Sequence, residues 1–255
     1  MKKTKISGKL MLYGSIIVLV ICTVLGISSY IQAKKGLEAI VQETITNKAE
    51  DSARLIGNKI QLDLDALNNV THSAVILSMN SSVQEAFLAD IKSSMKYKEL
   101  AVATSDGHIK LSDGKNYSIA RKEYFQLAMK GERNISEPTQ NLLDGSMQVY
   151  LACPIISESK ILGVLIASYD AKNLYDISNN LNFSETGYAY AINQYGTKIL
   201  HPRYEMVLSK DNDLINVNRD PSLEKLVALQ KRMINGQSGF GIYTYKGIDK
   251  YMGFA

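Results

Sequence analysis

The segment Ser118-Ile119-Ala120-Arg121-Lys122-Glu123-Tyr124-Phe125, taken with Asp170 at the end of a long apolar run, is the constellation in this sequence that suggests binding chemistry. A helix is predicted from Ile119 to Lys130, with Ser118 as its N-cap and Gly131 as its stop. Arg121 would then lie in the first helical turn, where the macrodipole disfavours a cation. A bound anion resolves that conflict, because exposed backbone N–H groups and a guanidinium together suit a carboxylate. Asp170 could hold an ammonium at the other end of the same ligand. Two plainer readings stand beside this one: Arg121 as a solvated helix residue, and Asp170 as the N-cap of a helix beginning at residue 171.

Other kinds of chemistry find no support. His72, His108 and His201 have no carboxylate or second histidine at metal-ligand spacing, so neither a metal site nor a cofactor is expected. Gly236-Gln237-Ser238-Gly239-Phe240 lacks the second glycine of a nucleophile elbow. The Asp- and Asn-rich stretch 210–221 lacks the glycine and terminal glutamate of a calcium loop. A non-enzymatic protein is expected; an anchored extracellular hydrolase would need a nucleophile and base that the spacing does not offer, and a ligand-free, partner-binding ectodomain is the third reading.

The elements that must position these residues form an α+β chain. From Leu10 to Ile31 run 22 residues without a charge, enough to span about 30 Å of hydrocarbon as a helix. A cleaved signal peptide would have a shorter apolar run ending in small residues, so an uncleaved transmembrane helix is expected. Lys2, Lys3, Lys5 and Lys9 precede it, placing residues 1–9 in the cytoplasm and 32–255 outside the cell membrane. Those four lysines match the whole net charge of +4, so the rest of the chain is balanced and no nucleic acid partner is expected. Cys22 lies in the span and cannot pair with Cys153, so the fold holds without a disulfide.

Residues 32–79 read as one long stalk helix, with Ala53, Ile56, Ile60, Leu67, Val70, Ala74 and Leu77 at helical spacing. That stripe suits packing on the chain's own domain, a homodimer seam near the membrane, or both. After Asn80-Ser81-Ser82 the spacing shifts toward strands, beginning with Glu99–Thr104 and a turn at Asp106-Gly107. The turn Asp113-Gly114, the helix already described, and the strands Met147–Ile156 and Ile161–Tyr169 complete a first unit, and a short helix Ala171–Leu181 leads onward. The order strand, turn, strand, helix, Gly, strand, strand then recurs, with strands Tyr188–Asn193 and Thr197–His201, a helix opened by Asp220-Pro221 and closed before Gly236, and strands Gly239–Tyr245 and Lys250–Ala255. The second copy lacks a counterpart of Ile161–Asp170, so it is expected to stop one strand short.

Arg121-Lys122-Glu123-Tyr124-Phe125, Ala128 to Gly131, Ile135-Ser136-Glu137-Pro138, Pro154-Ile155 and Gly163-Val164-Leu165 through Asp170 resemble the membrane-distal module of double Cache sensor domains. Gly187-Tyr188-Ala189-Tyr190 and Gly239 to Ala255 resemble the proximal module. The resemblance implies two PAS-like modules with antiparallel sheets, a distal one over 80–181 and a proximal one over 182–255. It implies small-molecule sensing by a transmembrane receptor, most like a methyl-accepting chemotaxis protein, with a sensor histidine kinase or a cyclic-di-nucleotide enzyme as alternative outputs. Members that bind amino acids carry Arg-x-Trp-Tyr, then Tyr and Asp on a neighbouring strand, then a final Asp. Arg121, Tyr124 and Asp170 match the first, third and last of these; Glu123 replaces the Trp, and Thr139 and Asn141 stand for the Tyr and Asp. The implied ligand is an amino acid, an amine or a small carboxylate.

Overall fold

The computed structural model describes residues 6–141, 143–173 and 187–255. Helix α1 (Ile6–Thr71) runs 66 residues, about 100 Å at the usual rise. From Leu10 it is long and apolar enough to cross a membrane, and none of that apolar stretch is buried in the protein. Its far end turns inward, where Leu64 and Leu67 are buried and Ile60 and Val70 pack beside them.

The long helix expected to reach residue 79 breaks at His72. The Thr71 hydroxyl and a His72 ring nitrogen both bond to the Asn68 carbonyl, competing with the backbone for the last turn. Ser73 then takes extended backbone and caps a separate short helix, α2 (Ala74–Leu77), by accepting the Ile76 N–H at 3.3 Å. Where strand spacing was expected after Asn80, a further helix forms, α3 (Ser81–Met95). Asn80 caps it by accepting the Ser82 N–H at 3.1 Å, and Lys96, in left-handed backbone, ends it.

One antiparallel sheet follows, built from β1 (Glu99–Thr104), β2 (His108–Lys110), β3 (Asn116–Ser118), β4 (Asn134–Ile135), β5 (Thr139–Gln140), β6 (Met147–Ser157) and β7 (Lys160–Asp170). Its order is β3-β2-β1-β7-β6-β4, with β5 also on β6. The β6–β7 hairpin turns on Glu158 and Ser159, both at positive φ, as a tight two-residue hairpin requires. Both faces of the central strands are covered, which is why β7 reads as unbroken apolar sequence. Leu165, Ala167 and Tyr169 face the cluster containing Leu64 and Leu67 of α1, while Val164 and Ile166 face one containing Ile119, Tyr124 and Phe125.

The helix expected over Ile119–Lys130 is shorter: α4 spans Glu123–Ala128, and Ser118 ends β3 instead of capping it. Strand pairing wins these residues, since the Ile119 N–H donates to the Gly107 carbonyl at 2.9 Å and Ile119 is buried. A turn closed by the Lys122 N–H on the Ile119 carbonyl then leads into α4. Gly107 has no alternative here, because it sits at φ 84° and a Cβ would lie 2.7 Å from the Ala120 backbone. The connecting helix expected over Ala171–Leu181 lies outside the described residues beyond 173.

In the C-terminal half, β8 (Ala191–Ile192) pairs with β9 (Lys198–Leu200), and β10 (Gly239–Tyr245) with β11 (Ile248–Phe254). Among the described residues these are two separate two-stranded sheets, not a second copy of the larger one. Between them come α5 (Glu205–Leu208), α6 (Asp213–Asn216), a 3-10 turn at Pro221–Leu223 and α7 (Glu224–Ile234). Asp220 opens that turn by accepting the Ser222 N–H at 3.1 Å. Helix α1 also touches this half: a Cβ on Gly253 would stand 2.3 Å from the Ile45 carbonyl oxygen.

Candidate functional site

Between the large sheet and α4 lies a cavity of about 20 Å³, room for about one water molecule. Strand alternation aims Glu99 and Ala101 of β1, Tyr150 of β6 and Ile166 of β7 at it, and α4 contributes Tyr124. The Tyr124 and Tyr150 rings stack with centroids 5.1 Å apart and planes 6° from parallel. Burial pushes both hydroxyls up, Tyr150 to about 12, so both stay neutral.

Asn141 closes the cavity's floor. Its amide donates to the Gln148 side-chain oxygen at 2.9 Å and to the Tyr150 hydroxyl at 3.1 Å, while its own oxygen accepts the Leu143 N–H at 2.6 Å. The Ser168 hydroxyl donates to the same Gln148 oxygen at 2.6 Å. All of Asn141, Gln148, Tyr150 and Ser168 are buried, so this is a neutral polar network whose members satisfy one another.

The five residues singled out from the sequence are therefore only partly gathered. Tyr124 and Asn141 line the cavity together. Thr139 and Asp170 flank it through the ladder, each paired with Gln148 from opposite sides of β6. Asp170 accepts the Lys172 N–H at 2.9 Å, the bond of a cap. Arg121 lies on the exposed turn before α4, two residues short of the helix, so it does not occupy the first helical turn expected for it. Among the described residues its side chain has no ion pair or hydrogen bond. An anion at the start of α4 thus loses the argument that suggested it.

The Cache domain family model matches residues 32–255. The chain belongs to the Cache domain family. TlpA of Bacillus subtilis, a methyl-accepting chemotaxis protein, is 20% identical over 272 residues, covering 100% of this Cache chain and 37% of TlpA. A protein of Bacillus thuringiensis named as a probable methyl-accepting chemotaxis protein is 24% identical over 221 residues, 79% of this chain and 32% of its own length. The chain thus spans about a third of the length of these relatives. Among solved structures, the ligand-binding domain of the Pseudomonas aeruginosa amino acid chemoreceptor PctB with L-Arg superposes with a TM-score of 0.67 at 16% identity, covering 84% of this chain and 88% of that one. The sensory domain of Campylobacter jejuni Tlp3 with isoleucine bound gives 0.63 at 13% identity, covering 86% and 89%. These likenesses establish the fold: mixed helices and antiparallel sheet beside a long N-terminal helix.

The C-terminal half of this Cache chain gathers a different set of groups. The Lys198 ammonium is buried between the carboxylates of Asp211 and Asp213, the latter at 2.9 Å. Burial alone would lower its pKa, but the bonds to the two aspartates carry it above the ordinary lysine value. Gln230, fully buried, donates to Asp213 at 2.8 Å and to the Tyr190 hydroxyl at 3.3 Å. His201 packs among Tyr188 and Tyr190, and burial, aided by Lys198 and Arg203, pushes its pKa down to about 4. A more open cleft of about 340 Å³ adjoins this cluster, between Met206, Asn216, Arg219, Leu223 and Lys246.

Sequence reasoning missed Glu99, Tyr150, Gln148 and Ser168. The signal for Glu99 was present, as a lone acid opening an otherwise apolar strand. Tyr150, Gln148 and Ser168 needed the β6–β7 register, because their side of the sheet is set by pairing and not by composition.

Proposed function

We propose that this Cache chain is the sensory part of a membrane-anchored chemotaxis receptor. Residues 10–31 cross the membrane, 1–9 stay in the cytoplasm, and 80–181 and 182–255 form a distal and a proximal module outside. A small molecule binds in the distal cavity against Tyr124 and Asn141, and a homodimer paired along the near-membrane part of α1 transmits the change inward. The observation that carries the reading is the cavity itself: an enclosed site between sheet and helix, in a chain whose family relatives bear the names of chemotaxis receptors. Helix α1 supports the transmission step, since it packs on the large sheet at Leu64 and Leu67 and meets β11 at Ile45.

The test is a thermal-shift screen of the full chain in detergent micelles against amino acids, amines and small carboxylates. At a hundred times its Kd a true ligand adds about 2.7 kcal/mol of stability. Tyr124→Ala and Asn141→Leu are each expected to weaken that ligand roughly tenfold to a hundredfold by calorimetry. Unchanged affinity in both folded variants would place the site elsewhere. For topology, with Cys22 and Cys153 replaced by serine and alanine, a cysteine at Ser209 should react with an impermeant maleimide on intact cells and one at Ser7 should not.

A further inference from the structure

The distal cavity has a single ionised wall. Glu99, only 7% exposed, is the one charged residue lining it, and no Lys, Arg or His does so among the described residues. Its carboxylate is fixed from outside: the Ser112 N–H reaches one oxygen at 3.3 Å and the Ser112 hydroxyl donates to the other. The Lys92 ammonium stands 3.8 Å away, beyond hydrogen-bond distance, so it tempers the charge without filling an acceptor position. An ionised carboxylate has about four acceptor positions, and Ser112 takes two.

The other walls fit the same partner. Tyr124 and Tyr150 offer aromatic rings, which attract a cation over their faces, and Ile109, Leu111 and Ile166 are aliphatic. Arg121, the group suited to a ligand carboxylate, is on the exposed turn and outside the cavity. Inside, a carboxylate would face Glu99 with no cation among the described lining residues to answer it, at the cost of burying like charges together.

Resting on the proposed sensing role of this cavity, we infer that its ligand is a primary organic ammonium with a short apolar body, and that Glu99 is its counter-ion. The cavity as it stands admits about one water, so the ligand enters by parting Tyr124 of α4 from Tyr150 of β6. The sheet side is fixed by its ladder, so α4 is the element that yields.

Calorimetry on the full chain in detergent micelles decides this with four probes of one shape: butylamine, butanol, butyrate and the α-amino acid norvaline. Butylamine should bind, and butanol, the same shape without charge, should bind at least tenfold more weakly. Butyrate and norvaline should bind more weakly still. Glu99→Gln, with circular dichroism confirming its fold, should weaken butylamine roughly tenfold to a hundredfold. Equal affinity for butylamine and butanol, or no butylamine binding at millimolar concentration, would overturn the inference even if Glu99→Gln failed to fold. Butyrate or norvaline binding that Tyr124→Ala weakens and Glu99→Gln leaves alone would overturn it while leaving the cavity as the sensing site. Butylamine binding that neither variant alters would remove both.

Discussion

Among the described residues of the N-terminal half, seven strands form one sheet, and the buried polar groups are mostly neutral: Asn141, Gln148, Tyr150 and Ser168 bond one another beside a single carboxylate, Glu99. Among the described residues of the C-terminal half, four strands form two separate pairs, and Lys198, Asp211 and Asp213 form an ion triad beside tyrosines. A neutral network can exchange one partner for a ligand group at modest cost, since a net hydrogen bond is worth about 1 kcal/mol. A buried ion triad cannot lose a member without stranding charge. The comparison assigns adaptability to the half with the enclosed cavity and fixed geometry to the other, and both halves rest on α1.

The strongest way to break that comparison is Lys198→Met. It leaves two carboxylates facing each other in place of a bonded triad, and removing one partner of a buried pair costs about 3–5 kcal/mol. Denaturant unfolding of the full chain at neutral pH should show a loss of that order. By contrast Ser168→Ala in the neutral network, which leaves Gln148 its bond from Asn141, should cost about 1 kcal/mol. Equal costs in the two variants would mean that the halves do not differ in this way.

The pH dependence sharpens the contrast. His201 has a folded pKa pushed down to about 4 from 6.5, so between those values the unfolded chain binds a proton that the folded chain refuses. Stability therefore falls as pH drops from 6.5 toward 4, by up to about 3 kcal/mol. Asp211, held below its ordinary value by Lys198 and Asn216 against the opposing effect of burial, adds a loss only at still lower pH. Denaturation at about pH 7 and about pH 4.5 should show the difference, and His201→Phe should flatten it. The aromatic cavity residues do not titrate in this window, so an equal slope in His201→Phe would mean that the acid sensitivity comes from groups other than His201.

Much of this arrangement was legible in advance. The apolar runs of β6 and β7, the glycine turns at 107 and 114, and the Asp220-Pro221 start all fall where the sequence put them. Three long-range effects were not legible. Ile119 reads as helix until the Gly107 carbonyl claims its N–H, and that loss shifted Arg121 out of the helix. The cavity joins Ile109 of β2 to Tyr150 of β6 across the intervening β1 and β7, and Lys198 and Gln230 meet on Asp213 only after three elements have packed. Local spacing encodes turns and strand faces; it does not encode which charged group arrives opposite which.

Asp170 is the smallest and most discriminating test, because it stands at the edge of the N-terminal network with two available roles. As a cap, its carboxylate satisfies the Lys172 N–H, and it is half-buried opposite Gln148 on the ladder. As a ligand group it would have to turn away from that N–H and reach past Gln148, whose side-chain oxygen already accepts from both Asn141 and Ser168. Truncating a capping Asp to Ala costs about 1 kcal/mol, and restoring the short polar acceptor as Asn recovers most of it. Asp170→Ala is therefore expected to lower stability by about that amount, Asp170→Asn by a few tenths, and neither should change ligand affinity by more than about twofold. A lost counter-ion would behave differently: affinity would drop roughly tenfold or more in both variants, because Asn keeps the hydrogen-bond acceptor but not the charge. Affinity loss in Asp170→Asn with unchanged stability would return Asp170 to the site and give the N-terminal half a second ionised wall.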